Sequence, residues 1–157
     1  MKNIKRFKNE SRKEGFTLIE ILVVIGILAV LATIVLVAIN PARQFKLARD
    51  SQRSANVTAI LNAIGQNLTD NRGLFTCSGI NIPTTSAIIR SGGIVDIAGC
   101  LVPTYIASLP FDPSIEGAYY VSEDDYNTGY EVSADSLGRI TVAAISEITG
   151  NVISVTR

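Results

Sequence analysis

The sequence predicts an α+β fold in which a long N-terminal helix packs on a C-terminal antiparallel β-sheet of about four strands. The helix is predicted by a nearly unbroken apolar run from Phe16 to Ile39 and by the amphipathic pattern that follows it. The sheet is predicted because β-branched and aromatic residues alternate with turn residues over roughly the last 40 positions. The expected organisation is a basic leader at 1–15, an apolar helix at 16–39, an amphipathic helix at 40–72 and an outer loop and sheet domain at 73–157.

The charge of the chain is divided unevenly, although its formal net charge is zero. Residues 1–15 carry six basic and two acidic side chains, whereas residues 16–157 carry eight basic and twelve acidic ones. A basic head before an apolar run is typical of a segment that enters a membrane and leaves its head in the cytoplasm. The net-acidic remainder lacks the broad positive surface of a nucleic-acid-binding protein.

The apolar run is long enough to cross a membrane. As a helix it reaches about 36 Å, against a hydrocarbon core of about 30 Å. A cleavable secretory signal is the alternative, but its apolar region is usually only about 7–15 residues long. Within the run lies one acid, Glu20, and no Lys or Arg. A membrane carboxylate indicates function, and its cationic partner must come from another chain or from an α-amino group made by cutting after Gly15.

The hexapeptide at the start of the run carries a resemblance to a known family. Placed after a short basic leader and before an apolar helix, it resembles the processing motif of type IV pilins and pseudopilins: Gly15-Phe16-Thr17-Leu18-Ile19-Glu20. The resemblance implies that a prepilin peptidase cuts after Gly15 and N-methylates Phe16. It also implies that Glu20 pairs with the N-terminus of an adjacent subunit during filament assembly. A plain signal anchor with a chance acid is the alternative.

A second helical segment follows the break at Asn40-Pro41, where proline favours a kink or a new helix start. An apolar stripe is predicted at Leu47, Ser54, Val57, Leu61, Ile64 and Leu68, and Asn71-Arg72-Gly73 is the expected stop. Four cations flank the stripe: Arg43, Lys46, Arg49 and Arg53. They are expected either to meet anionic lipid or acidic patches on neighbouring subunits, or to remain a solvated face.

Two features organise the loop-rich region that follows. Cys77 and Cys100 are predicted to form a disulfide in an oxidising compartment, because a chain without histidine offers too few zinc ligands. Two free buried thiols are the alternative. The stretch from Leu109 to Pro113 contains two prolines, so it is expected to be a fixed turn rather than a central strand. It also resembles a stretch of the major pseudopilins of type II secretion and of related Gram-positive-type pilins.

The predicted sheet is a meander whose strands are Ala118–Ser122, Gly129–Ala134, Arg139–Ile145 and Asn151–Thr156. One face should bury the stripe of the helix. Between the first two strands, Glu123, Asp124 and Asp125 are candidate calcium ligands, because calcium prefers carboxylate and carbonyl oxygens. Major pseudopilins commonly bind calcium in this region, but the spacing is not that of an EF-hand, and a solvated acidic turn is the alternative.

No enzymatic activity is expected, because without histidine the chain lacks Ser-His and Cys-His nucleophile arrangements. The resemblance instead implies a structural subunit of a type IV pilus or of a type II secretion-like pseudopilus. Its implied partners are copies of itself, minor pilins, the prepilin peptidase, the inner-membrane platform protein, the assembly ATPase system and the lipid bilayer. The leader would be cytoplasmic, the outer domain extracytoplasmic, and the assembled subunit part of a filament; DNA uptake stays open as a role. The alternative is a monomeric membrane-anchored binding module.

Overall fold

The computed structural model describes residues 15–157, so the predicted leader at residues 1–14 lies outside the described part. The chain divides into two compact units whose boundary falls between Pro41 and Ala42. A long N-terminal helical region is followed by a five-stranded antiparallel sheet. The predicted α+β class is therefore confirmed, with one strand more than expected.

The first unit contains helix α1, Leu18–Ile39, which is long and apolar enough to cross a membrane. Its 22 residues span about 33 Å. None of its side chains is buried within the structure. The helix ends at Asn40, which adopts the left-handed conformation (φ 47°) that commonly closes helices.

Helix α2, Pro41–Asp70, begins at the proline that the sequence places after the apolar run. Proline is favoured at the first helical position, because the backbone N–H of that position has no acceptor within the helix. The helix ends as predicted at Asn71-Arg72-Gly73. Arg72 and Gly73 both have positive φ, and the Gly73 N–H donates to the Leu68 carbonyl at 2.7 Å.

The core of the second unit lies between one face of α2 and the inner face of the sheet. The helix contributes Val57, Ile60, Leu61 and Ile64, all buried. The sheet contributes alternate residues of its strands, which the pleat directs to one face: Tyr126, Tyr130, Val132, Ile140, Val142 and Ala144. Burial of each large side chain contributes on the order of 2 kcal/mol. The predicted stripe is correct at Val57, Leu61 and Ile64, and Leu68 packs partly buried against the core. It is wrong at Leu47 and Ser54, which are exposed.

The five strands are β1 (Ala87–Arg90), β2 (Tyr119–Ser122), β3 (Asp125–Ala134), β4 (Ile140–Ile145) and β5 (Val152–Thr156). Their order is β1-β3-β4-β5, and β2 pairs with the beginning of β3. Asn127 of β3 pairs with Arg90 on one side and Tyr119 on the other. Strands β1 and β2 therefore lie on opposite sides of β3.

The sheet differs from prediction at β1 and at the start of β3. Ile88 and Ile89 belong to β1, which the predicted four-strand meander does not include. Strand β3 begins at Asp125 instead of Gly129, so Asp125 belongs to the strand and only Glu123 and Asp124 form the turn. The physical reason is a period of two: Tyr126 and Thr128 are buried, whereas Asp125 is exposed and Asn127 is half-buried on the other face.

The region between α2 and β2 is closed by a disulfide between Cys77 and Cys100, whose Cα atoms lie 5.4 Å apart. Cys100 lies in a short helix, α3 (Ala98–Leu101), and Cys77 is buried in the core. The bond ties the loop after α2 to the segment before the proline-rich stretch. It therefore stabilises a region with little regular secondary structure.

Candidate functional site

The first candidate site is the segment that leads into α1. Gly15, Phe16 and Thr17 precede the helix and are not helical, and Phe16 is exposed. Thr17 is the N-cap, with extended backbone angles (φ −81°, ψ 152°). The peptide bond between Gly15 and Phe16 therefore lies just outside the first turn of the apolar helix.

The Glu20 side chain is bonded to the start of its own helix. Its Oε2 atom accepts hydrogen bonds from the Thr17 backbone N–H at 2.7 Å and from the Thr17 hydroxyl at 2.8 Å. In return the Glu20 N–H donates to Thr17 Oγ1 at 3.3 Å. These reciprocal bonds form a capping box.

The capping box explains how a carboxylate is accommodated at this position. It satisfies backbone donors that the first turn of a helix leaves without partners. The positive end of the helix dipole also favours a negative charge there. The role of Thr17 as the helix cap was not predicted from the sequence. Thr17 and Glu20 nevertheless have the spacing of a capping box, and an apolar run follows them.

A second polar site lies in the outer unit, centred on Arg53. This side chain has only 2% of its surface exposed, and the Asp112 side chain has none. Arg53 Nε donates to Asp112 Oδ2 at 2.6 Å, and Nη2 donates to Asp112 Oδ1 at 2.9 Å. The same guanidinium donates to Asp50 Oδ1 and to Glu147 Oε1, both at 2.8 Å. We call Arg53, Asp50, Asp112 and Glu147 the buried ion cluster.

The cluster joins three parts of the outer unit. Arg53 and Asp50 lie on α2, Asp112 lies in the proline-rich stretch, and Glu147 lies in the β4–β5 turn. Glu147 is additionally bound by Arg49, whose Nη2 is 2.6 Å from Glu147 Oε2. The buried Arg53 guanidinium therefore connects α2, the proline-containing stretch before β2 and the turn between β4 and β5.

The proline-rich stretch is shaped around Asp112. The Asp112 N–H donates to the Thr128 carbonyl at 2.8 Å, which fixes the stretch beside β3. Its Oδ1 accepts from the N–H groups of Ser114 and Ile115, both at 2.9 Å. The stretch is not a strand, in agreement with its two prolines. Its acid, Asp112, is a buried partner of the Arg53 guanidinium, which the sequence did not reveal.

The contacts of the cluster lower the pKa values of its acids. Burial by itself raises the pKa of Asp112, but the Arg53 guanidinium and two backbone N–H groups outweigh it and hold that pKa below its ordinary value. The hydrogen bond from Arg49, with further bonds from Ser114 and Arg53, strongly lowers the pKa of Glu147. The hydrogen bond to Asp112 raises the pKa of Arg53 further. All these groups are therefore charged at neutral pH.

The expectation that four cations of α2 form one outward flank is wrong for two of them. Arg53 is buried and Arg49 is bound to Glu147, so both serve the fold of the outer unit. Arg53 also occupies the place in the stripe that the sequence analysis gave to Ser54. Arg43 and Lys46, in the first two turns of α2, are exposed as expected.

The candidate calcium ligands do not converge. Glu123 and Asp124 form the two-residue turn between β2 and β3, and Asp125 is the first residue of β3. The Asp125 Oδ1 atom accepts the Tyr119 hydroxyl at 2.7 Å. Across residues 15–157 no group of three or more His, Cys, Asp or Glu side chains is placed to hold a metal ion. These residues therefore do not fit a calcium site.

Comparison with known proteins identifies a motif in the segment that leads into α1 and in most of that helix. Residues 11–36 match the prokaryotic N-terminal methylation motif, the class III signal peptide of type IV pilins. The match covers Gly15, Phe16, Glu20 and most of α1. No curated protein and no solved structure matches the chain significantly. The motif and the apolar helix support a type IV pilin-like or pseudopilin-like precursor.

Proposed function

We propose that the chain is a structural subunit of a type IV pilus or of a type II secretion-like pseudopilus. The single observation that carries this proposal is the methylation motif at the head of an apolar helix with no buried side chains. Such a helix needs an apolar environment along its whole length. Lipid supplies it before assembly, and the helices of neighbouring subunits supply it in a filament.

The proposed processing site is the Gly15–Phe16 peptide bond. Its support is the geometry of the segment, because both residues are exposed and precede the helix. A peptidase that cuts on the cytoplasmic side would meet this bond at the membrane surface. Cleavage would create an α-amino group on Phe16, which the same enzyme would methylate.

The proposed assembly contact joins the Glu20 carboxylate of one subunit to the Phe16 amine of another. In the single chain Glu20 Oε2 accepts two hydrogen bonds from Thr17. A cationic amine offers a charge-assisted bond, which is stronger than a neutral one. The incoming amine would therefore replace or join the Thr17 bonds, and the same contact repeated between successive copies gives an open filament.

The partners and location follow from this proposal. The prepilin peptidase would act first, and the platform protein and assembly ATPase system would then add the subunit to a filament with its copies and minor pilins. The apolar helix fits a membrane anchor. We propose that the leader faces the cytoplasm and that the outer unit is extracytoplasmic before it joins a surface or periplasmic filament.

The test is Glu20→Ala, compared with Glu116→Ala as a control that removes an exposed acid of the outer unit. In cells with the assembly machinery, Glu20→Ala should be inserted and cleaved normally but absent from sheared filaments. The control should be incorporated like the unmodified chain. Normal incorporation of Glu20→Ala would refute the assembly role of Glu20. Absence of the unmodified chain from the filaments would instead favour a monomeric membrane-anchored binding module.

A further inference from the structure

Strand β5 forms an open edge of the sheet. Within residues 15–157 it pairs with β4 alone, and the register between the two strands runs without a bulge from Val152 to Thr156. Val152, Ser154 and Thr156 are exposed, whereas Ile153 and Val155 are half-buried. In the part of the chain that the structure describes, no second strand covers the other side of β5.

The hydrogen-bond pattern between β4 and β5 decides which backbone groups face the open side. Ile140 and Arg157 exchange two backbone hydrogen bonds, at 2.6 and 3.0 Å. In an antiparallel pair, residues whose backbone groups bond to the partner strand alternate with residues whose groups do not. Arg157 and every second residue before it therefore bond to β4. The N–H and C=O groups of Val152, Ser154 and Thr156 point away from β4, and within residues 15–157 they have no backbone partner.

The other edge strands have features that commonly protect a sheet edge from pairing with another chain. Strand β1 is only four residues long and its register shifts, and the Val95 carbonyl accepts the Arg90 N–H at 3.2 Å beside it. Strand β2 is equally short, also has a register shift, and leads into the turn of Glu123 and Asp124. From Val152 to Thr156, by contrast, β5 has no bulge, no proline and no charged side chain. Strand β5 is therefore the edge that is suited to accept another strand.

The sequence of β5 fits a second copy of the same strand. Antiparallel pairing with Ser154 opposite Ser154 sets Val152 opposite Thr156 at both ends, so every outward backbone group of the three residues gains a partner. Any other antiparallel register leaves at least one of these residues without a partner inside the strand. Valine and threonine are a favourable cross-strand pair. No like charges meet, because Arg157 falls opposite Asn151 of the second copy.

We propose that two copies of the chain pair through their β5 strands, antiparallel and with Ser154 opposite Ser154. The two sheets then form one continuous sheet across the contact. This contact is twofold and closes on itself, whereas the proposed Glu20 contact repeats in one direction and builds a filament. The β5 contact therefore joins subunits, or the filaments that contain them, in pairs. The inference goes beyond the proposed function and does not rest on filament assembly.

Single cysteines test the contact and its register in the full-length chain. The two cysteines of the chain are bonded to each other, so each variant carries one free thiol. In detergent micelles with a mild oxidant, Ser154→Cys should form a disulfide-linked dimer, because the Cα atoms of a hydrogen-bonded pair lie about 5.5 Å apart. Val152→Cys alone should stay monomeric, because its two copies would lie about 14 Å apart. A mixture of Val152→Cys and Thr156→Cys chains should form a mixed dimer.

Charged substitutions at Ser154 separate strand pairing from chance encounters inside a micelle. Ser154→Lys in both chains of the mixed cysteine pair sets like charges opposite each other and should lower the yield of mixed dimer by up to about fivefold. Ser154→Lys in one chain and Ser154→Glu in the other should restore the yield. Because Ser154 is exposed, the near-ultraviolet circular dichroism of these variants should match that of the unmodified chain.

Three results would overturn the proposal. The first is an equal yield of dimer from Ser154→Cys alone and from Val152→Cys alone. The second is no cross-linked dimer from either Ser154→Cys or the mixed cysteine pair. The third is an equal yield from two Ser154→Lys chains and from the Ser154→Lys and Ser154→Glu combination. None of them affects the Glu20 test, which is read from the composition of sheared filaments.

Discussion

Replacing Arg53 with Met removes the cation of the buried ion cluster and keeps a side chain of similar length. The substitution leaves the Asp112 carboxylate buried without the two guanidinium bonds that it accepts at 2.6 and 2.9 Å. Glu147 and Asp50 each lose one bond as well. Because Asp112 also accepts two backbone N–H groups, its carboxylate cannot turn away to solvent without leaving those donors unpaired.

The expected loss follows from the burial of the pair. Removing one partner of a buried ion pair costs about 3–5 kcal/mol, because the remaining charge is left in a poorly solvated place. That is a large share of the roughly 5–15 kcal/mol that stabilises a small domain. Arg53→Met combined with Asp112→Asn should recover part of the loss, since asparagine keeps an acceptor for the Ser114 and Ile115 N–H groups and carries no charge.

The assay is urea unfolding of the full-length chain in detergent micelles, followed by the near-ultraviolet circular dichroism of its tyrosines. Tyr126 and Tyr130 are buried in the core, and their signal reports the packing of the outer unit. Arg49→Gln is the matched control, and its free energy of unfolding should fall much less. Arg49 is more exposed than Arg53, and without it Glu147 still accepts hydrogen bonds from Arg53 and Ser114. A loss in Arg53→Met no larger than in this control would refute the reasoning.

Two further predictions concern the outer unit. Its melting temperature should fall on acidification, because the pKa values of Asp112 and Glu147 in the folded chain lie below their ordinary values. The contribution of these two carboxylates to the free energy of unfolding is complete above their ordinary range near pH 4. It is lost as the pH falls through the lower pKa values of the folded chain. A melting temperature unchanged between pH 7 and about pH 2 would contradict the lowered pKa values. Replacing Cys77 and Cys100 by serine should lower the free energy of unfolding by about 3 kcal/mol, as should reduction of the unmodified chain. An unchanged urea midpoint in both would show that the disulfide does not stabilise the fold.

The helical part of the fold could be predicted well, because its signals are local. The apolar run, the Asn40-Pro41 break and the stop at Gly73 each act through the backbone of a few neighbouring residues. The sheet was harder to predict at its acidic segment. Asp125 was grouped with Glu123 and Asp124 as a possible acidic turn, but it begins β3. The burial of alternate residues along β3 depends on partners that are distant in the sequence.

The candidate sites divide in the same way. The Thr17–Glu20 cap follows a short pattern, and closer attention to spacing would have found it. The partners of Arg53 lie in a stretch and a turn far along the chain, and an arginine near an apolar stripe is usually exposed. Only the tertiary structure brings them together. It places Arg53 in the interior and pairs Arg49 with Glu147.

The central claim is that the chain is cut after Gly15 and methylated on Phe16, and mass spectrometry of the N-terminal peptide from cell membranes tests it most directly. The account predicts a mature chain that begins at Phe16 and carries one methyl group on its α-amine. Gly15→Val should keep residues 1–15 attached in the same cells. A membrane form of the unmodified chain that retains its basic leader while the peptidase is active would contradict the account.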